Sequence, residues 1–328
     1  MKLVCKNYIF SILVFLGIFC STLYSQNSNY KITGNIDIGG GNRWDYIAID
    51  ASSHRLYVTH ASEVNVIDLD NNTVIGTIPN LNGVHGVAFA NEFNKGFISN
   101  GKNNSITVFD LKTFNVIDSI KIDGKGPDAI CFDPFTKRVF TFNGKSSNST
   151  AIDAQTDKIA GTVALDGGPE FAVSDGAGKM FVNIEEKNEI QEFDPMALKV
   201  TATWPLAPGT GPSGLAMDRE HKILFSGCHN KLMAVVNAET GRVITTLPIG
   251  ERIDACAFDP STGLAFSSNG EGTITVVKEV SPDKFKVIDN IVTQKGAKTM
   301  TVDENTHRLY TITMIDGKSF GVLILDRK

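Results

Sequence analysis

A pattern of about 42 residues recurs seven times along this chain, and it limits the fold more than any other feature. Each copy holds a β-branched run ending in Asp or a close stand-in, a turn, and a second short apolar run. The first runs end at Asp68, Asp110, Asp153, Asp194, Asn237, Lys278 and Asp326, spaced by 41 to 43 residues with 48 before the last. A period of roughly 40–45 residues carrying four short strands is that of a propeller blade. The expectation is therefore an all-β chain folded as a seven-bladed β-propeller. Propellers serve many ends, so the period speaks to architecture and not to activity.

Within a copy the strands can be read in order. The first two are clearest at Tyr46–Asp50 and Arg55–Thr59, with equivalents at Ala129–Asp133 and Val139–Phe142, and at Ala255–Asp259 and Leu264–Ser267. Pro134 and Pro260 close the turn between them, because proline cannot continue a strand ladder. The third strand ends in the recurrent Asp, whose carboxylate can accept backbone N–H bonds two or three residues on. Thr113, Thr156 and Thr240 stand three positions after such a residue. The fourth strand spans Val74–Ile78 and its copies. The seventh copy stops at Asp326 without a fourth strand, and Lys31–Ile36 has the pattern to supply it. The N-terminal strand is thus expected to complete the last blade, closing the ring non-covalently and hiding both sheet edges. A disc closed in this way is expected to be a monomer.

Residues 1–25 read as a secretory signal: Lys2 and Lys6, an apolar stretch from Ile9 to Phe19, and the small Ser25 before Gln26. That stretch is short for a membrane span. An uncleaved anchor and, through Cys20, a lipoprotein are the alternatives. Residues 26–328 are expected to form one propeller domain, in the periplasm or outside the cell, with no transmembrane domain. The formal net charge is −5, and taking away residues 1–25 removes two lysines and no acid. An acidic chain without a long Lys/Arg run argues against nucleic-acid binding. Cys131, Cys228 and Cys256 form no CxxC pair, and an odd number leaves at least one thiol free. Cys131 and Cys256 fall in first strands, where cysteine serves as a small hydrophobe.

The second strands carry a family signature. Leu56-Tyr57-Val58-Thr59-His60, Gly96-Phe97-Ile98-Ser99-Asn100, Val139-Phe140-Thr141-Phe142-Asn143 and Leu309-Tyr310-Thr311-Ile312-Thr313 resemble the Tyr-Val-Thr-Asn motif of YVTN propeller repeats. Met180–Asn183, Ala265–Asn269 and the Gly-Pro steps at Gly126, Gly168 and Gly211 fit the same pattern. The Trp-Asp dipeptide of WD40 repeats is absent from the equivalent strand end. Nearly the whole chain after residue 25 resembles a secreted, YncE-like, seven-bladed YVTN protein. That resemblance implies a family mostly without assigned activity, one branch of which is similar to periplasmic proteins that bind single-stranded DNA. Fold relatives include lactonases, a streptogramin lyase and cofactor-bearing oxidoreductases, but none of their catalytic motifs is matched here.

Candidate site residues come from reading one position per blade at the loop into the first strand: Asp45, His85, Asp128, Glu170, Ser213, Asp254 and Lys298. All are polar, with four acids against one lysine, and Arg43 and Arg252 lie nearby. A second ring, after the second strand, offers His60, Asn100, Asn143, Asn183, His229 and Asn269. These oxygens and imidazoles could hold a divalent cation, or bind sugar hydroxyls with Trp44 or Phe171 as a stacking face. His60, His85 and His229 occur once each in the array, whereas His54, His221 and His307 recur at the turn between strands one and two and are expected to serve that turn. No Gly-x-Ser-x-Gly, P-loop, dinucleotide fingerprint or CxxCH is present. The leading expectation is a non-enzymatic binding scaffold whose polar channel face takes a glycan, peptide or protein. The alternative is a metal-dependent lyase or lactonase at the same place.

Overall fold

The computed structural model describes residues 30–41, 43–281 and 283–328. Residues 1–29, and with them the expected signal segment, lie outside that range.

Seven four-stranded antiparallel sheets stand in a ring. The first blade runs Trp44–Asp50, Arg55–His60, Glu63–Asp68 and Thr73–Ile78 from axis to rim, and the next five repeat that order. The innermost strands touch in sequence and the first meets the seventh, so the ring closes. The seventh blade takes Met300–Val302, Leu309–Ile315 and Ser319–Arg327 from the C-terminus and Tyr30–Asp37 from the N-terminus as its outermost strand. The expected closure is present, in register from Tyr30 opposite Arg327 to Asp37 opposite Gly321. The chain is a seven-bladed β-propeller.

Burial explains the sequence pattern blade by blade. Second and third strands are covered on both faces by neighbouring blades, so they read as nearly continuous apolar runs. Outermost strands face solvent, and Val74, Ile75, Val116 and Ile117 are exposed there. The apolar clusters straddle the seams. Leu56, Ile67 and Leu69 of the first blade pack with Tyr310, Ile312 and Phe320 of the seventh, and Phe225 of the fifth stacks on Phe258 of the sixth at 5.3 Å. Asp68, Asp110, Asp153, Asp194 and Asn237 all cap the following turn. Asp110, for example, accepts N–H bonds from Lys112 at 2.9 Å and Thr113 at 2.8 Å.

The repeated motif of the second strand also has a physical reason. Six innermost strands carry a bulge near their start, which frees two residues from the ladder. Thr59 serves this bulge by accepting from Asp45 N–H at 3.2 Å and donating to the Tyr46 carbonyl at 2.9 Å. Ser99, Asn183 and Ser268, at the same place in their blades, reach the next blade's Asp128, Ser213 and Lys298 carbonyls. The Asn that follows ties the second strand to a threonine of the third. Asn100 donates to Thr107, Asn143 to Thr150 and Asn269 to Thr275, at 3.0 to 3.1 Å.

On the face opposite those bulges, histidines cross the seams. His54 and His307 sit in the turn before the second strand, as expected, with φ of 50° and 62°. They do more than turn the chain. His54 places Nε2 3.0 Å from Asp303 of the seventh blade and Nδ1 2.5 Å from Asp70. His307 Nδ1 lies 2.8 Å from Asp259 of the sixth blade. Burial would lower the His54 pKa, but hydrogen bonds and charge from Asp70 and Asp303 raise it above 6.5. Burial would raise Asp303, yet Thr306 and His54 hold it below 3.8. The raised imidazole gives stability that is full below its ordinary pKa and lost as pH climbs through the folded value. The lowered carboxylate gives stability that is full above its ordinary pKa and lost as pH falls through the folded value. The seam between blades one and seven is therefore tightest in mildly acidic solution. His54→Gln should cost about 1–3 kcal/mol at pH 5.5 and flatten the decline of melting temperature between pH 6 and 8. An unchanged slope in the variant would mean that the decline arises elsewhere.

Candidate functional site

The bulge at the start of each innermost strand sets the site. It leaves Asp45 with Tyr46, His85 with Gly86, Asp128 with Ala129, Glu170 with Phe171, Ser213 with Gly214 and Asp254 with Ala255 outside the strand ladder. Asp45, His85, Asp128, Glu170 and Asp254 are half-buried at this mouth. In each pair the second residue is small, except for Tyr46 and Phe171. Those two rings meet at 4.5 Å between centroids, from the first and fourth blades. They border a cavity of about 190 Å³ lined also by Ala129, Cys131 and Phe142. The axis is thus a polar mouth above an aromatic plug. The plug was legible only as two bulky residues in a column otherwise filled by Gly and Ala.

His85 is the centre of the mouth. Its Nδ1 lies 2.5 Å from Asp45 Oδ2 and 3.3 Å from Asp128 Oδ1. Burial alone would lower its pKa, but the two carboxylates carry it to about 10, so it is an imidazolium at neutral pH. Burial raises Asp45 to about 6 against the hydrogen bond from His85. Glu170 has no such cation. Burial, then the charges of Asp128, Glu185, Asp254 and Asp45, push it to about 8. Asp254 is also raised by burial, and Lys298 Nζ answers it at 3.0 Å. Asp45 and His85, with Arg43, Trp44 and Lys102, line a cavity of about 470 Å³ on the side of the first two blades. A larger cavity, of about 710 Å³, opens at the rim between the first two blades, but its walls hold no titratable side chain.

The structure therefore gathers Asp45, His85, Asp128, Glu170, Asp254 and Lys298 at one place and ties His60, Trp44 and His229 into contacts of their own. His60 is 7% exposed, its ring 4.3 Å from Phe320 and its Nε2 2.9 Å from the Gly41 carbonyl. It is held in the seam with the seventh blade and does not face His85. Trp44 stacks on Phe320 at 5.2 Å, so its ring is already covered. His229 pairs with Glu185 at 3.1 Å across the seam between blades four and five, beside the Gly211 step that leads into the fifth blade's bulge. The expected asparagine ring is a correction: Asn100, Asn143, Asn183 and Asn269 are at most 1% exposed and spend their amides on neighbouring strands. None has positive φ, so none is a turn former either.

Asp45, His85 and Asp128 offer one donor atom each, all within 4.8 Å of one another. That set could hold a divalent cation only after His85 gives up its proton, so a metal there competes with the imidazolium. Cys131, Cys228 and Cys256 are free thiols. Burial drives Cys131 and Cys228 up to about 11, which makes them poor nucleophiles at neutral pH. No helix among the described residues is long and apolar enough to cross a membrane.

No protein-family model matches the chain, and no curated protein does. Among solved structures it is similar to a chain of a "Crystal Structure of Mitotic Checkpoint Complex", with a TM-score of 0.78 over 97% of this chain and 99% of that one. At 11% identity that likeness shows the propeller fold and nothing finer.

Proposed function

We propose that this chain is a non-enzymatic binding propeller of YVTN type, working outside the cytoplasm, whose mouth takes a peptide or protein through a cationic side chain. The observation that carries the reading is the convergence of Asp45, Asp128, Glu170 and Asp254 from four blades. Burial raises Asp45, Glu170 and Asp254, and the charge of Asp128 raises all three further. His85 and Lys298 answer part of that charge and leave Glu170 without a cation. A lysine or arginine presented there would supply one and let Glu170 ionise. A glycan is less favoured, since Trp44 and Phe171, the faces on which a sugar would stack, are engaged with Phe320 and Tyr46. The extracytoplasmic placement rests on residues 1–25, and cleavage after Ser25 leaves the strand from Tyr30 entire.

The test is capture of Lys- and Arg-bearing peptides from an arrayed library, followed by titration of the best ligand. Affinity should rise from pH 7 to pH 9 as Glu170 loses its proton to solvent and the carboxylate pairs with the incoming cation. The triple variant Asp45→Asn, Asp128→Asn, Glu170→Gln should bind about a hundredfold more weakly, roughly 2.7 kcal/mol, and keep a cooperative melt. Full binding by that variant would place the ligand on another surface. The second reading, a metal-dependent lyase or lactonase, draws on the closeness of Asp45, His85 and Asp128. It would show as lactone opening that needs added metal and is lost with His85→Gln.

A further inference from the structure

In the first, second, third and fifth blades the residue after the third strand's closing Asp or Asn belongs to the core. Leu69, Leu111, Ala154 and Ala238 are at most 5% exposed. Their N–H groups donate to the turn before the second strand, as Leu69 does to His54 at 3.1 Å and Ala238 to Lys222 at 2.8 Å. Glu279 holds this place in the sixth blade, donating to the Gly263 carbonyl at 3.0 Å. A carboxylate thus stands where the repeat puts an apolar side chain. It is buried all the same: its side chain is 6% exposed, and the polar groups its oxygens meet are His221 and Asp218 of the fifth blade.

Glu279 looks across the seam at the fifth blade. There Asp218 ends the innermost strand with its side chain 4% exposed, and His221 stands in the turn that follows, 45% exposed. His221 Nδ1 lies 2.7 Å from Asp218 Oδ2 and 3.1 Å from Glu279 Oε1. One donor atom from each of the three residues falls within 4.8 Å of the others. Asp218 Oδ1 is fixed by the N–H groups of Glu220 and His221, at 2.9 and 3.2 Å, which leaves Oδ2 turned to the cluster.

Two buried carboxylates facing one another across a seam are costly unless a cation lies between them. The comparable seams set one buried carboxylate against the imidazole, Asp303 against His54 and Asp259 against His307, whereas here His221 meets two. Donor atoms about 3 Å apart suit ligands arranged on an ion at 2.0–2.2 Å. One imidazole with two carboxylates is a donor set for borderline first-row divalent metals, and it is too small for calcium, which wants six to eight oxygens. The exposed side of His221 leaves the remaining coordination positions to water.

We propose that Asp218, His221 and Glu279 form a divalent transition-metal site, for Zn²⁺ or Mn²⁺, that joins the fifth and sixth blades on the face opposite the mouth. Calorimetric titration of metal-stripped protein with Zn²⁺ or Mn²⁺, read beside melting temperature, tests it. One ion should bind per chain, and the melting temperature should rise with ion concentration. Glu279→Leu restores the repeat's apolar residue. It should keep or raise the metal-free melting temperature and weaken binding by at least about a hundredfold. His221→Gln should weaken binding similarly, and because this side chain is exposed it carries the test if the Glu279 variant folds poorly. His85→Gln should leave the binding intact. The proposal is overturned if neither ion binds at millimolar concentration. It is equally overturned if binding survives both seam variants, or is lost with His85→Gln alone.

Discussion

A chain lacking residues 30–37 should show no cooperative unfolding transition at 25 °C. That strand covers Ser319–Arg327, whose side chains from Phe320 to Leu325 are nearly all buried. It pairs along the whole edge, with a bulge between Ile32 and Gly34. It also reaches the neighbouring blade, where Tyr30, 1% exposed, sets its ring edge-on to Phe266 at 5.6 Å. Past the strand, Ile38 and Gly39 donate to the Phe320 carbonyl at 2.9 and 3.0 Å. Removing these contacts uncovers a strand edge and opens the ring at once. The loss should match the roughly 5–15 kcal/mol that holds an ordinary domain folded. Tyr30→Ala alone should cost about 3–5 kcal/mol. Urea unfolding followed by far-ultraviolet dichroism reads both. A truncated chain with an unchanged midpoint would show that six blades and a three-stranded seventh are enough.

The second large effect is expected at Gly214. It is the second residue of the fifth blade's bulge, pressed against the innermost strand of the sixth. A Cβ there would stand 2.5 Å from the Cys256 nitrogen, 2.6 Å from the Ala255 carbonyl carbon and 2.8 Å from the Asp254 oxygen. All three are backbone atoms, so no side chain can swing aside. Gly214→Ala must push two innermost strands apart and should cost about 3 kcal/mol. Gly144→Ala is the control, because its nearest neighbour would be 4.0 Å away. Equal melting temperatures for the two variants would mean that the seam between blades five and six yields easily.

Why so much of the fold was legible, and less of the site, follows from what a repeat encodes. Each blade restates its strands, so seven weak patterns reinforce one another, and a missing fourth strand points to the N-terminus. The turn-capping Asp residues were readable because their partners lie two or three positions on. The mouth was readable as a column, and Asp45, His85 and Asp128 meet because they come from consecutive blades. What the column could not show was which neighbours cover a side chain. His60 and Trp44 looked available until Phe320, some 260 residues later in the chain, closed over them. The asparagines looked like metal-binding oxygens because the groups that occupy their amides, threonines for three of them and the Ser213 and Gly214 carbonyls for Asn183, stand on another strand. Glu279 stands as an acid where four other blades have Leu or Ala, a signal the repeat carries, but its meaning needed Asp218 across the seam.

The closing strand also sets a clock. Thr33 donates to the carbonyl of Ile324, 291 residues away in sequence. At about 5–20 residues per second, the N-terminal strand waits roughly fifteen to sixty seconds for its partner to be made. Through that interval no propeller can close, however well the middle blades have formed. The chain stays open-ended until the strand Ser319–Arg327 is released.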